Sequence, residues 1–159
     1  QAEVIGFQQS FPNSCVPACM VMVHQARNAA LNAAALEVQY HQGAHPKGHP
    51  LSHSLSLGGE RIGDGADDIL LAVNAGQLVL GTVCGPLWVK NVVGTSTARK
   101  QMCDPGDSGV PFHCVVCVGT EDDQLVILDP WYPANSQRFL VDPAAFAAYL
   151  SQDPIAFTR

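Results

Sequence analysis

Apolar residues along this chain gather in two ways: at helical spacing near the N-terminus, and in short unbroken blocks through the second half. From Val16 to about Asn28, the residues Val16, Cys19, Met20, Val23 and Ala26 recur three or four apart, which predicts a helix buried on more than one side. The turn-forming run Pro12-Asn13-Ser14 leads straight into it and places Cys15 in the first turn. Asn13 or Ser14 is expected to cap the start, and Pro17 fits the first turn, where its missing N–H leaves no bond unmade. A second helix is predicted from Asn32 to about His41, with Leu36, Val38 and Tyr40 among its apolar positions. Ahead of both, Glu3 to Phe7 reads as a short strand or arm.

Between His41 and Gly59, Pro46, Pro50 and four glycines interrupt any regular pattern. His41, His45, His49 and His53 recur every fourth residue, but the prolines break the helical face they would share. The segment reads as a solvated loop that flanks a cleft; a metal site or substrate-facing lid is the alternative. Order resumes at Arg61, where Asp64 or Asp67 is expected to cap a helix through Ile69, Leu70, Ala72 and Val73 that ends at Asn74-Ala75-Gly76. The Gly-rich stretch Gly58 to Gly65 follows no strand signal, so it makes a weak phosphate loop.

The blocks that follow read as sheet. Leu78–Cys84 is a strand by content, Leu87 to Val93 is expected to be another, and Gly94 to Gly109 is a polar connection. Phe112–Gly119 and Gln124–Asp129 form a hairpin around an acidic turn at Thr120–Asp123. Arg138–Val141 adds a strand, Asp142 caps a short helix opened by Pro143 and running through Phe146 and Leu150, and Pro154 to Thr158 closes as a strand. Helices first and strands later predict an α+β fold: one domain over residues 1–159 with two lobes, an N-terminal helical part and a C-terminal antiparallel sheet.

Composition narrows the function. With 47% hydrophobic and 14% charged residues the chain is not disordered, and a net charge of −6 with eight scattered Lys and Arg offers no basic stripe, so nucleic acid and anionic membranes are poor partners. No apolar run approaches the roughly 18 residues of a membrane span. Beginning on Gln1 without a signal-peptide pattern, the chain is expected to be a processed form or an excised piece. Six cysteines form no paired zinc-ribbon spacing. Cys114 and Cys117 read C-x-x-C within a strand, where residues three apart point to opposite faces, so they are expected to be small core residues rather than a redox or metal pair. Free thiols point to a reducing, cytoplasmic setting; secretion or delivery as an effector is the alternative.

One constellation carries chemistry. A thiol at a helix N-terminus sits where the dipole and free N–H groups favour the nucleophilic thiolate, and Cys15 holds that place. Such a nucleophile needs a base and a group to orient it. His113 opens a strong strand, and Asp129 lies at the far end of the returning one, so the hairpin brings the two side by side. Gln9, six residues before Cys15, is placed to donate its amide to an oxyanion together with the Cys15 N–H. Each residue alone also fits a structural role: a core helix cysteine, a strand histidine, an aspartate opening a turn. Trp88, Trp131 and Tyr132 are candidates for a cleft wall, and each also fits the core.

Gln9-x5-Cys15 with Ala18 and the Met20/Met22 run resembles the cysteine motif of papain-like peptidases, most closely the bacteriocin-processing peptidases that remove double-glycine leaders and their stand-alone relatives. The segments His113–Gly119 and Val126–Pro130 look like that family's histidine motif. Where members often have Asp before the cysteine and Gly after it, this chain has Ser14 and Val16. The resemblance implies a papain-like domain without a cofactor that hydrolyses peptide or other amide bonds through a thioester. It makes Cys15 the nucleophile, His113 the base and acid, Asp129 the orienting group and Gln9 the oxyanion donor, with a peptide or protein as partner. A transpeptidase, cyclase or acyltransferase on the same scaffold, and a silent peptide-binding domain, are the alternatives; the oligomeric state is left open.

Overall fold

A computed structural model describes residues 4–11, 14–44, 54–55, 58–94 and 112–159. Asn13, His45, His49, His53, Cys103 and the 94–109 connection beyond Gly94 lie outside these residues. A six-stranded antiparallel sheet runs β1 (Glu60–Arg61), β6 (Ile155–Phe157), β2 (Leu78–Cys84), β3 (Phe112–Glu121), β4 (Gln124–Leu128) and β5 (Arg138–Val141) in spatial order. Helices cover both faces. Against one pack α1 (Cys15–Arg27) and α2 (Ala33–Ala44), through Cys19, Met20, Val23 and Tyr40, onto Leu78, Leu80, Cys114, Val116 and Phe157. Against the other pack α3 (Ala66–Asn74), the short α4 (Gly85–Trp88) and α5 (Pro143–Tyr149), through Ile69, Trp88 and Phe146, onto Val79, Val83, Val115, Cys117 and Ile127. Burial on both faces explains why β2 and β3 are continuous apolar runs rather than alternating ones. The expected α+β architecture is the one observed.

The β3–β4 hairpin turns on Asp122 and Asp123 alone, both at positive φ (50° and 63°). Two such residues match the right-handed twist of the strands, so β3 runs on to Glu121 through the first half of the segment expected to be the turn. Gly81 has a different need: a Cβ there would stand 2.6 Å from the Phe146 ring, so the bare backbone lets α5 approach the sheet.

Other expectations are corrected. Leu87–Val93 is not a strand: Pro86 opens α4, which passes into a π-helical turn, Val89–Val93, closed by Gly94 at φ 76°. Pro86 suits the first turn of a helix, and Trp88 and Val89 in the turns that follow are both buried. Neither Asp64 nor Asp67 caps α3; Gly65 stands at the cap, and its N–H donates to Asp68 Oδ2 at 3.3 Å. Asp142 does cap α5, accepting the Ala145 N–H at 3.1 Å, with Pro143 in first position. Asn32 likewise accepts the Ala35 N–H at 3.1 Å and opens α2, which extends to Ala44. The N-terminal arm from Val4 to Gln9 has no regular structure. No helix among the described residues is long and apolar enough to cross a membrane.

Candidate active site

Cys15 is the first residue of α1 and is wholly buried. Ser14 occupies the cap position, yet its hydroxyl does not cap. Its Oγ lies 2.9 Å from both Phe11 O and Glu37 Oε2 and accepts the Phe11 N–H at 3.2 Å. The hydroxyl is engaged instead by the Phe11 N–H and by Glu37, 1% exposed on α2, whose Oε2 also takes the Ser10 N–H at 2.7 Å. Sequence reasoning missed Glu37; the signal was a lone carboxylate inside the apolar run Ala33–Tyr40. The free thiolate expected at Cys15 is also absent from this state, because Cys15 is disulfide-bonded. Cys19, Cys84, Cys114 and Cys117 are free. One turn beyond Cys15, Cys19 Sγ donates to Cys114 O at 3.5 Å, so α1 lies against β3 one residue from His113.

His113 and Asp129 meet as the hairpin predicts: His113 Nε2 lies 2.6 Å from Asp129 Oδ1, and both residues are within 2% of full burial. The detail depends on a β-bulge. Between Cys117 and Gly119 the register slips by one, which sets Leu128 opposite Val116. Continued by one residue, that register puts Asp129 beside Val115, on the same side of the sheet as His113. Without the slip it would face Val116, whose side chain points the other way. Asp129 itself follows β4 rather than belonging to it.

Burial works against an ionised Asp129, but the His113 ring, its hydrogen bond, the Trp131 N–H (3.0 Å to Oδ1) and the Trp88 indole N–H (2.8 Å to Oδ2) hold its carboxyl below the usual range. With Nε2 engaged by the carboxylate, His113 Nδ1 is buried and has no hydrogen-bond partner among the described residues. A ring held through Nε2–H carries its lone pair on Nδ1, the atom that would take a proton from a nucleophile.

Gln9 is nearly buried and is tied to the segment after Asp129, its N–H donating to Pro130 O at 2.7 Å. Its side-chain amide donates to Phe11 O at 2.8 Å, within the loop that leads to Cys15. The arm is locked by Gln137, fully buried, whose Oε1 accepts the Phe7 N–H while Nε2 approaches the carbonyls of Phe7, Tyr132 and Asp129. No sequence signal marked this residue. Trp88 is core, whereas Trp131 and Tyr132 are half-buried beside Asp129, and burial with the nearby Asp129 charge pushes the Tyr132 hydroxyl up to about 12. Cys114 and Cys117 face opposite cores, as their spacing implies, and burial pushes each thiol up to about 12. Among the described residues no three His, Cys, Asp or Glu side chains group as metal ligands; His41 stacks on Phe11 at 5.0 Å.

No protein-family model matches the sequence, and no curated protein matches it either. Solved structures do. A C39-like peptidase from Bacillus anthracis superposes with a TM-score of 0.60 at 15% identity, over 98% of this chain and 94% of that one. The fold is papain-like. The peptidase domain of Streptococcus ComA, a bifunctional ABC transporter of a quorum-sensing pathway, agrees, with a TM-score of 0.57 at 15% identity over 96% of this chain and 97% of that one. The papain-like fold thus accounts for nearly the whole chain, including the helix that begins at Cys15 and the hairpin that carries His113 and Asp129.

Proposed function

We propose that this protein is a cysteine peptidase that cleaves peptide bonds through Cys15, His113 and Asp129. The observation that carries the reading is the buried His113–Asp129 pair, joined at 2.6 Å through Nε2 with Nδ1 bonded to no other described residue, one residue along β3 from the Cys114 carbonyl that takes the Cys19 thiol of the Cys15 helix. Two peptidase structures of the same fold support it.

Reduction of the Cys15 disulfide by a thiol comes first, giving a thiol at the helix N-terminus. His113 Nδ1 takes its proton, and the thiolate attacks the scissile carbonyl carbon. The oxygen gains charge and is met by the Cys15 N–H and the Gln9 amide, which leaves Phe11 O to reach it. The imidazolium then protonates the departing amine, leaving a thioester. His113 next deprotonates a water, which attacks the thioester and releases the acid, and the proton returns to sulfur. Asp129 holds the ring in one tautomer and offsets its charge while it is protonated.

The test is to reduce the protein, incubate it with a proteome-derived peptide library and map new termini by mass spectrometry. Cleavage by the reduced wild type, lost in both Cys15→Ala and His113→Ala and absent before reduction, is expected. A reduced wild type that cleaves nothing, or a Cys15→Ala protein that cleaves as well as wild type, would overturn the reading.

A further inference from the structure

We infer that Trp88 is a positioning residue for the proposed reaction, fixing through its indole N–H the direction in which Asp129 grips His113. The inference rests on the peptidase reading and extends it to a residue far from the cysteine motif in sequence. A carboxylate bonded through one oxygen alone swings about its Cβ–Cγ bond. Asp129 does not have that freedom. Oδ1 takes His113 Nε2 at 2.6 Å and the Trp131 N–H at 3.0 Å, while Oδ2 takes Trp88 Nε1–H at 2.8 Å. The Trp131 bond is a local turn contact two residues away in sequence; among the described residues the indole is the contact to Oδ2, and it comes from another part of the chain.

The indole is itself immobile. Trp88 is 1% exposed, at the junction of α4 with the π-helical turn, and its ring stands edge-on to Phe139 (6.0 Å, 76°) and Phe146 (6.3 Å, 78°). An apolar pocket had no need of an N–H; a phenyl or leucyl side chain would fill it without a polar atom to satisfy. The N–H is used on Asp129, and it keeps a second oxygen of a buried charge from being left unbonded. With both oxygens held, Oδ1 stays aimed at His113 Nε2, and a proton on that nitrogen leaves the lone pair on Nδ1. Trp88 thereby steadies the carboxylate that holds the ring, without touching substrate.

Two replacements separate this role from packing. Trp88→Phe removes the donor and some volume. Benzothienylalanine at position 88, a sulfur analogue of tryptophan, removes the donor and keeps the bicyclic shape. In both, the Asp129 carboxyl, followed by carbon-13 NMR, is expected to titrate at higher pH than in wild type, because a bond to its ionised form is gone. In both, kcat on the peptide substrate is expected to fall about tenfold or more with KM within about twofold. If Trp88→Phe fails to fold, the analogue alone decides. An analogue that leaves the Asp129 titration and kcat as in wild type would overturn the inference. If reduced wild type proves inactive, the peptidase reading fails, yet the Asp129 titration still shows whether Trp88 governs that carboxylate.

Discussion

Replacing Gln137 by leucine tests the reasoning about how the site is held, because it removes polar atoms at nearly constant volume. Gln137 is wholly buried, and its amide serves four backbone groups: the Phe7 N–H at 3.1 Å and the carbonyls of Phe7, Tyr132 and Asp129 at 3.1, 2.9 and 3.3 Å. Asp129 O retains a second donor in the Tyr132 N–H at 3.3 Å, so three groups are stranded. Each stranded group costs on the order of 1–3 kcal/mol when buried, and the low end applies here because Phe7 and Tyr132 are only half-buried and water can reach them. That gives about 3 kcal/mol, less about 1 kcal/mol regained by burying leucine, so a net loss of about 2 kcal/mol is expected. In a domain of this size the melting temperature should drop by roughly 4–8 °C, and the urea midpoint by roughly 1 M with an unchanged slope. Protease nicking within residues 4–11 should rise in parallel, because the arm has lost its clamp. A melting temperature within about 2 °C of wild type and an arm no more sensitive to protease would refute the account.

Other outcomes follow from the same structure. After reduction, brief iodoacetamide treatment at about pH 6 should label Cys15 and lose that label in His113→Ala, while Cys114 and Cys117, whose thiols burial pushes up to about 12, stay unlabelled; mass spectrometry of tryptic peptides reads this directly. The Asp129 carboxyl is held below its usual range, so its stabilising contribution is full above about pH 4 and is lost as pH falls through the lowered folded value. Asp129→Asn should therefore flatten the acid side of the stability curve and cut kcat by about a hundredfold or more. His24 is shifted the other way in consequence. Burial first, and Arg27 second, lower its affinity for a proton, so the unfolded chain protonates before the folded one and stability should decline as pH falls below about 6.5. His24→Phe, which keeps a ring against Tyr40, should remove that part of the slope in urea titrations between about pH 5 and 7. A Cβ at Gly6 would stand 2.3 Å from Gln137 Oε1, so Gly6→Ala should destabilise by about 1–3 kcal/mol in the same assay and reproduce part of the Gln137→Leu effect.

Local pattern determined a good deal of this protein. Spacing of apolar residues placed α1 with Cys15 in its first turn, β2 and the β3–β4 hairpin, and the hairpin's length was enough to bring His113 near Asp129. Capping chemistry placed Asp142 and Pro143 at the start of α5. These features depend on residues close in sequence, or on one turn, and period and turn chemistry report such neighbours directly. Leu87–Val93 was misread for the complementary reason: its β-branched content suits a strand, while Pro86 and the burial of Trp88 against the second core decide for a helical turn.

Tertiary structure decided what local pattern has no means to express. The one-residue slip between Cys117 and Gly119, invisible in the apolar alternation, turns Asp129 to the His113 side of the sheet. Trp88 reaches Asp129 across 41 residues, Gln137 grips Phe7 across 130, and Glu37 draws the Ser14 hydroxyl across 23. Each bond satisfies a buried polar group, and which groups are buried together is fixed only when both faces of the sheet are covered. Sequence named candidate residues for the proposed chemistry; packing chose the contacts that hold His113 and Asp129 together and engaged Cys15 in a disulfide.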